Sequence, residues 1–268
     1  MTGELTWIGT ATTLLRYGGF TLLTDPNFLH RGERAYLGKG LWSKRLTEPS
    51  LQVHELPPID AVVLSHLHGD HFDRRARRGL DRSTPVITTR AAARKLRLYG
   101  FENAVALDTW ESHELRQPDG STLTVTAMPG RHAPGPLRAA LPPVMGSVLS
   151  FAPVAEPPLS VYITGDTLVH GDLAEVPRRY PHLDIGVWHL GGTRIPAGWR
   201  LGPLVTMDAQ QGADLLALVR PARTIPIHHG DYGVFASPVE DFLAEVARRG
   251  LPGVRTAVRG VPLPLPLV

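Results

Sequence analysis

The segment from Ser65 to His71 reads SHLHGDH and places three histidines and one aspartate within six residues. Imidazole and carboxylate side chains at this spacing suit a divalent cation, for which Zn–N distances are about 2.0–2.1 Å. Gly69 allows the sharp backbone bend that would turn these side chains toward one point. A chance cluster of surface histidines is the alternative. Because the segment follows an apolar run and precedes a helix-like stretch without breaking either pattern, the sequence favours a metal site.

The elements around this segment alternate between strands and helices, which indicates α/β layers rather than a sandwich or a bundle. Short β-branched or apolar runs predict strands at Glu4–Gly9, Thr12–Tyr17, Phe20–Thr24, Ala61–Ser65, Pro85–Thr88, Trp110–Glu114, Ser121–Met128, Gly146–Phe151, Ser160–Thr164, Asp184–Trp188 and Thr224–Ile227. Helices are predicted over Phe72–Gly79, Arg90–Tyr99, Met207–Val219 and Pro238–Arg249. Asp73 is the expected N-cap of the first helix, and Asp208 is expected in the first turn of the third.

Three Gly- and Pro-rich segments are predicted to be loops, at 26–58, 134–143 and 193–204. Loops as long as the first are often functional in compact domains. The last eight residues, VPLPLPLV, alternate proline with apolar side chains and predict an extended edge segment. No shift in composition marks a boundary, so we expect one domain over 1–268.

Several segments besides the histidine motif make the chain resemble the metallo-β-lactamase superfamily, whose signature is His-x-His-x-Asp-His. The resemblance is closest to the branch of L-ascorbate-6-phosphate lactonase-like proteins and N-acyl-phosphatidylethanolamine phospholipase D. The segments are LTWIGTATTLL, the Asp25-Pro26 turn, LPPIDAVVLSHLHGDHFD, LDTWESHEL, MPGRH, YITGDT and IPIHHGDYG, in the family's order. The resemblance implies the metallo-β-lactamase fold, a four-layer αββα sandwich with a metal site at one edge of its two sheets.

The same resemblance implies two metal ions held by five histidines and two aspartates: His66, His68, Asp70, His71, His132, Asp166 and His228. The first metal would take His66, His68 and His132. The second would take Asp70, His71 and His228, and Asp166 would bridge the two ions, as a carboxylate with two oxygens can. Independently, the last three residues of the set along the chain follow strand-like runs beside Gly or Pro, where loop-borne ligands can meet at one sheet edge.

Other polar residues have weaker signals. Asp25 is expected either to orient a histidine through its ring N–H or only to begin the Asp-Pro turn. His189 follows an apolar strand and is expected to be a satisfied core histidine rather than a pocket residue. His229, next to His228, should point to the opposite face. Many relatives have histidine where this chain has Thr10.

Composition narrows the chemistry further. The chain has 268 residues, no cysteine, twelve histidines and a net charge of +3. Without cysteine, disulfides, thiolate zinc sites and a cysteine nucleophile are excluded, and the remaining N/O ligands suit zinc, manganese or iron. The arginine cluster at 74–82 is expected to be a solvated helix face, so nucleic acid is not the expected partner. With neither a signal-like start nor an 18-residue apolar run, we expect a cytoplasmic protein.

The resemblance implies a metal-dependent hydrolase that acts on a small molecule, with a metal-bridged hydroxide attacking an ester, lactone or phosphodiester. Asp70 would orient the hydroxide and take its proton, whereas Arg131 or Tyr232 is expected to bind a substrate anion. A metallo-nuclease of the same superfamily, diiron redox chemistry and a non-catalytic metal-binding protein are the alternatives. The nuclease would need an RNA-holding arm, and diiron relatives usually carry glutamate at the position of His68.

Overall fold

A computed structural model describes residues 3–195 and 202–266. Its strands are β1 (Gly3–Gly9), β2 (Thr12–Tyr17), β3 (Phe20–Thr24), β4 (Arg34–Tyr36), β5 (Trp42–Lys44), β6 (Ala61–Val63), β7 (Val86–Thr89), β8 (Ala104–Leu107), β9 (Ser112–Arg116), β10 (Thr122–Met128), β11 (Gly146–Ala152), β12 (Leu159–Ile163), β13 (Ile185–His189), β14 (Arg223–Ile227) and β15 (Leu263–Leu265). Its helices are α1 (Arg74–Gly79), α2 (Arg90–Leu98), α3 (Glu175–Arg179), α4 (Ala209–Val219) and α5 (Val239–Arg249). Short 3-10 turns cover Val53–Glu55, Gly135–Ala140 and Gly171–Ala174.

Two large sheets form the centre of the molecule. The first has the strand order β15-β1-β2-β3-β6-β7-β8, and the second has the order β14-β13-β12-β11-β10-β9. Strands β3, β6, β7 and β8 run parallel, as do β12, β13 and β14. In both sheets the strands that precede the candidate site residues end at the same edge. Strands β3 and β6 are parallel, as are β12, β13 and β14, and β10 has their direction because β11 is antiparallel to both β10 and β12.

Three apolar cores separate four layers. Inward-facing side chains of the two sheets, such as Leu15, Leu149 and Val161, pack between them. Helices α1 and α2 cover the outer face of the first sheet, and α3, α4 and α5 cover that of the second. This arrangement confirms the predicted four-layer αββα sandwich. Within the described ranges, no helix is both long and apolar enough to cross a membrane.

Most predicted elements are present within two residues of their expected bounds. Asp73 is the N-cap of α1 and accepts hydrogen bonds from the backbone N–H of Arg75 and Ala76. Asp208 was expected in the first turn of α4. It is instead the N-cap of that helix, because its carboxylate accepts a hydrogen bond from the N–H of Gln211. Segment 263–265 forms the edge strand β15 beside β1, as the C-terminal pattern predicted, whereas residues 267–268 lie outside the described residues.

The prediction of one long loop over 26–58 was too simple. This segment contains the hairpin β4–β5 and the 3-10 turn at Val53–Glu55. Elsewhere in the chain, strand β8 and helix α3 were not predicted. The two hairpin strands have only three residues each, which is too short for an alternating pattern to stand out. The strand predicted to start at Trp110 starts at Ser112 instead, since Trp110 has a positive φ of 71°. Part of the predicted 193–204 loop, residues 196–201, lies outside the described residues.

Candidate metal centre

The SHLHGDH segment forms a tight loop between β6 and α1. Gly69 at its middle lies against the hairpin, and a Cβ there would come within 2.7 Å of the backbone nitrogen of Tyr36. The N–H of Gly69 donates to the carbonyl of Tyr36 at 2.9 Å. Gly165, with a φ of +61°, brings the loop after β12 equally close, since a Cβ there would lie 2.9 Å from Cβ of Ser65. Both glycines permit the backbone approach that brings the site residues together.

Three imidazoles form the first cluster, which consists of His66, His68 and His132. Nδ1 of His68 lies 2.9 Å from Nε2 of His66 and 3.2 Å from Nε2 of His132. Nitrogens that share a tetrahedral zinc ion lie about 3.3 Å apart, given Zn–N bonds near 2.0–2.1 Å. Nδ1 of His132 donates to the carbonyl of Val205 at 2.6 Å, which directs its Nε2 toward the cluster.

Four buried side chains form the second cluster, which consists of Asp70, His71, Asp166 and His228. Nε2 of His71 lies 3.3 Å from Oδ2 of Asp166 and 3.9 Å from Oδ2 of Asp70. Nε2 of His228 lies 3.5 Å from Oδ2 of Asp70, and its Nδ1 lies 3.4 Å from Oδ1 of Asp166. The rings of His66 and His71 are 4.2 Å apart, so the two clusters adjoin.

The second cluster fits a cation because several of its buried polar atoms lack a hydrogen-bond partner among the described residues. These atoms are Oδ1 of Asp70, Nε2 of His71, Oδ1 of Asp166, and both ring nitrogens of His228. Buried polar atoms are normally paired, and leaving them unpaired costs free energy. A divalent cation would satisfy Nε2 of His71, Oδ1 of Asp166 and one ring nitrogen of His228, and His and Asp are side chains that bind one.

Burial and neighbouring charges set the protonation states of the first cluster and of Asp166, whereas, against the effect of burial, the carboxylates of Asp166, Asp25 and Asp70 raise the pKa of His71 well above its ordinary value. Burial lowers the pKa of His66 well below its ordinary value, lowers that of His68 to about 3, and lowers that of His132. Burial would raise the pKa of Asp166, but His228 and His71 beside it hold that pKa well below its usual value. The first cluster is therefore neutral imidazole and Asp166 is carboxylate, which are the forms that bind metals.

Asp25 lies behind the second cluster and connects two histidines. Burial opposes its ionisation, yet His71 and His189 lower its pKa to about 2. Its Oδ2 lies 3.1 Å from Nδ1 of His71 and 3.5 Å from Nε2 of His189. It also accepts hydrogen bonds from the N–H and hydroxyl of Ser65 at 2.7 and 2.9 Å. Of the two roles expected for Asp25, this geometry supports the orienting one, and its φ of 37° also places it in the turn.

Replacing Asp25 by asparagine is expected to lower the affinity for metal about 10- to 100-fold while preserving the fold. The amide keeps the shape and tolerates the positive φ, but it removes the negative charge that orients His71. Titration of metal-stripped protein, read by calorimetry, measures the change. Asp119→Asn is the matched control, because Asp119 also accepts the N–H and hydroxyl of a serine, Ser121, but on the surface. Equal metal affinity in both variants would contradict the orienting role.

His189 is fully buried, as predicted for a core histidine, but it also belongs to the site. Its ring stacks on that of His71 at 5.9 Å, and its Nδ1 lies 3.2 Å from the Thr164 hydroxyl. His229 is half-buried and its ring lies 5.1 Å from that of Trp7, away from the clusters. The carbonyl of Thr10 accepts a hydrogen bond from the N–H of His228 at 2.8 Å. It therefore supports the backbone of His228, which has a φ of +60°.

Of the two expected anion-binding residues, Tyr232 is already engaged, whereas Nε of Arg131 is buried and has no hydrogen-bond partner among the described residues. Tyr232 is buried, and its hydroxyl donates to Oδ1 of Asn27 at 3.0 Å. The guanidinium of Arg131 lies 3.6 Å from the carboxylate of Asp172. Four of the five arginines at 74–82 are engaged: Arg74 and Arg75 pair with Glu33, Arg77 stacks on Tyr99 at 3.6 Å, and Arg82 stacks on Phe101 at 4.3 Å.

Sequence reasoning missed several residues that hold the site. The hydroxyl of Ser65 lies 3.0 Å from Nδ1 of His66 and 3.3 Å from Nδ1 of His71. Thr206 donates to Oδ2 of Asp166 at 3.0 Å. Asn27 donates from Nδ2 to the carbonyl of Gly69 at 2.8 Å, and the fully buried Arg45 donates in turn to Asn27. Only Ser65 had a signal, its position directly before the motif.

Comparison with known proteins identifies the family. Residues 21–229 match the family described as the β-lactamase superfamily domain. A metal-dependent hydrolase from Anaeromyxobacter sp. (strain K) is 25% identical over 264 residues, which cover 97% of this chain and 86% of that protein.

Two solved structures share the fold. A possible metal-dependent hydrolase from Veillonella parvula has a TM-score of 0.81 at 21% identity, covering 99% of this chain and 100% of its own. An isothiocyanate hydrolase from Delia radicum gut bacteria has a TM-score of 0.77 at 22% identity, covering 97% of this chain and 98% of its own. The chain therefore belongs to the metallo-β-lactamase superfamily and is a metal-dependent hydrolase.

Proposed function

We propose that the chain binds two divalent cations, one at each cluster, and hydrolyses an ester, a lactone or a phosphodiester. The observation that carries this proposal is the pair of adjoining clusters of potential ligands, the second of which contains several buried polar atoms without a hydrogen-bond partner among the described residues. The seven side chains would be those expected from the sequence, with Asp166 between the two ions. Because both sheets contribute ligands, we also propose that residues 1–268 form one domain.

The cations would be zinc or manganese, with iron as a third choice, because the donors are only nitrogen and oxygen. When bound, they supply a water of lowered pKa and polarise the acyl or phosphoryl oxygen of the substrate. His66, His68 and His132 would serve as neutral ligands, held in that form by their burial. Ser65 and Asp25 would fix the orientation of His71 through its Nδ1.

Asp70 is the proposed catalytic residue. Its Oδ2 faces His71 and His228, whereas its Oδ1 has no hydrogen-bond partner within the described part of the chain. Contact with His71 and His228 lowers its pKa despite burial, so it is an ionised acceptor. We assign it two tasks, orienting the attacking water through Oδ1 and accepting a proton from it. The leaving oxygen would then receive that proton as its bond to the acyl carbon or phosphorus breaks.

Metal analysis with activity assays tests the proposal. Protein purified without chelator and then saturated with zinc or manganese is expected to hold two ions per chain and to hydrolyse lactones or phosphodiesters. Chelation should abolish turnover and lower the melting temperature, because bound ligand at 100 times its Kd stabilises a fold by about 2.7 kcal/mol. Adding the metal back should restore both. Fewer than one ion per chain under saturating conditions, or turnover indifferent to chelation, would refute it.

A further inference from the structure

A buried carboxylate outside the two clusters, that of Asp231, has no task in the proposed reaction. Asp231 lies three positions after His228 and is fully buried. Its side chain accepts hydrogen bonds from three donors: the N–H of Thr10 at 2.5 Å, the hydroxyl of Thr47, and Nη2 of Arg259 at 2.5 Å. These donors belong to the turn between β1 and β2, the segment after β5 and the segment before β15. One carboxylate therefore joins three distant parts of the chain close to a proposed metal ligand.

Thr10 connects this carboxylate to the ligand His228. Its N–H donates to Asp231, and its carbonyl accepts the N–H of His228 at 2.8 Å and Nε1 of Trp7 at 3.0 Å. The Thr10 hydroxyl has no hydrogen-bond partner among the described residues, so the connection runs through the main chain. The path from Asp231 to His228 thus consists of one residue and two hydrogen bonds.

Thr10 and His228 both have a backbone conformation that their surroundings must hold. Their φ angles are +52° and +60°, in the left-handed region that β-branched residues such as threonine rarely adopt. Such a conformation persists only where the surrounding structure fixes it. Without the anchor at its N–H, Thr10 would relax toward negative φ, and its carbonyl would turn away from the N–H of His228. The direction of the His228 ring therefore depends on the anchor.

The position of Asp231 requires a side chain that only accepts hydrogen bonds. The peptide N–H of Thr10 and the guanidinium of Arg259 face its two oxygens, and neither of them can accept a hydrogen bond. An asparagine would have to turn its NH2 group toward one of these two donors. The guanidinium also compensates the charge of the buried carboxylate, and it lies 5.0 Å from the ring of Trp7, which helps to hold it there.

We propose that Asp231 is a positioning residue for the second cluster, where it keeps His228 in its ligand orientation through the main chain of Thr10. Arg259 in turn fixes the carboxylate of Asp231. The inference rests on the proposed function, because it requires a cation at the second cluster. Neither Asp231 nor Thr10 has a hydrogen bond to a member of the first cluster within the described part of the chain. The effect of Asp231 should therefore be confined to the second ion.

Metal titration tests this selectivity. Asp231→Asn is expected to lower the affinity of the second cluster for Zn²⁺ about tenfold and to leave that of the first cluster unchanged, as calorimetry on metal-stripped protein measures. Asp184→Asn is the matched control, because Asp184 also accepts a backbone N–H and a hydroxyl, both of Ser160 at 2.7 Å, but at an exposed position before β13. An equal loss at both clusters, or the same loss in the control, would overturn the inference.

A measurement without metal separates positioning from a general loss of stability. Amide hydrogen exchange, followed by NMR, reports whether the N–H of His228 keeps its bond to Thr10. The reference is the N–H of Leu190, which donates to the carbonyl of Ile227 at 3.1 Å. In Asp231→Asn the protection of the His228 amide is expected to fall at least about tenfold more than that of the Leu190 amide. A parallel loss at both amides is the result of a fold that is merely less stable, and it would contradict the positioning role.

The variant Arg259→Met tests whether the guanidinium acts through Asp231. Alone it is expected to weaken Zn²⁺ binding at the second cluster about threefold, and in the Asp231→Asn background it should add nothing, because the carboxylate it fixes is already absent. Additive losses in the double variant would show that Arg259 acts by another route and would remove it from the assignment.

Together, exchange and titration distinguish the failure of this inference from that of the proposed function. If the His228 amide loses protection selectively while the parent protein takes up no second ion, the proposed function fails and the positioning of His228 by Asp231 stands. If two ions bind to the parent protein and to Asp231→Asn with the same affinities, the inference fails alone.

Discussion

Replacing His66 and His68 together by alanine is expected to abolish hydrolysis and to reduce the metal content from two ions per chain to one. Both nitrogens belong to the first cluster, and His132 alone cannot hold a cation against water. The remaining four ligands of the second cluster are untouched. Because a metal ion provides several kcal/mol of transition-state stabilisation, the loss of kcat/KM should be at least about 10³-fold. Metal analysis and lactone assays on the same preparation measure both effects.

The control must distinguish the effect of removing two metal ligands from the effect of removing any two histidines. His54 and His182 are exposed and lie outside the clusters, so the variant with both changed to alanine should retain two ions and full activity. His66 is completely buried, and its removal leaves a cavity. The single variant His68→Ala, at the half-exposed member of the cluster, therefore repeats the test with less disturbance of packing. Undiminished turnover in the double variant would contradict the assignment of the first cluster.

The histidine motif could be found in the sequence because its residues are contiguous and differ from everything around them. The remaining candidate ligands are separated from it by 61 residues or more, and only their position after strand-like runs gave a physical signal. That signal had a structural basis: β10, β12 and β14 all end at one edge of their sheet. Which strand ends meet, however, depends on strand order, and hydrophobic pattern does not encode order. The resemblance to the family, and not the hydrophobic pattern, grouped His132, Asp166 and His228 with the histidine motif.

Residues that support the site were much harder to predict. His189 has the pattern of a core residue and is one, but its contact with Asp25 joins residues 164 positions apart. A sequence pattern reports burial along one element, whereas this pair results from packing between the two sheets. Similarly, Leu37, Leu141 and Val205 lie in segments without periodicity, so nothing local indicated that they would surround one cavity. Loop residues are positioned by tertiary contacts, such as the hydrogen bond from Nδ2 of Asn27 to the carbonyl of Gly69.

Changing Asp70 to asparagine is expected to lower kcat by about 10²- to 10⁴-fold and to remove the second ion while the first remains. The amide has nearly the same shape as the carboxylate. If its nitrogen takes the position of Oδ2, the atom that faces His71 and His228 can no longer act as a ligand. If it takes the position of Oδ1, the amide cannot accept the proton. Asp172→Asn is the control, because Asp172 is an exposed carboxylate outside the clusters.

Metal titration then distinguishes the two tasks assigned to Asp70. If it acts only as a ligand, excess metal should refill the second site of the asparagine variant and restore kcat. If it also accepts the proton, the refilled variant should remain slow, with the loss in kcat rather than in KM, because the missing interaction is made in the transition state. We expect the second result, since Oδ1 of Asp70 has no hydrogen-bond partner among the described residues. Full recovery of kcat at saturating metal would remove Asp70 from the catalytic step and leave it as a ligand.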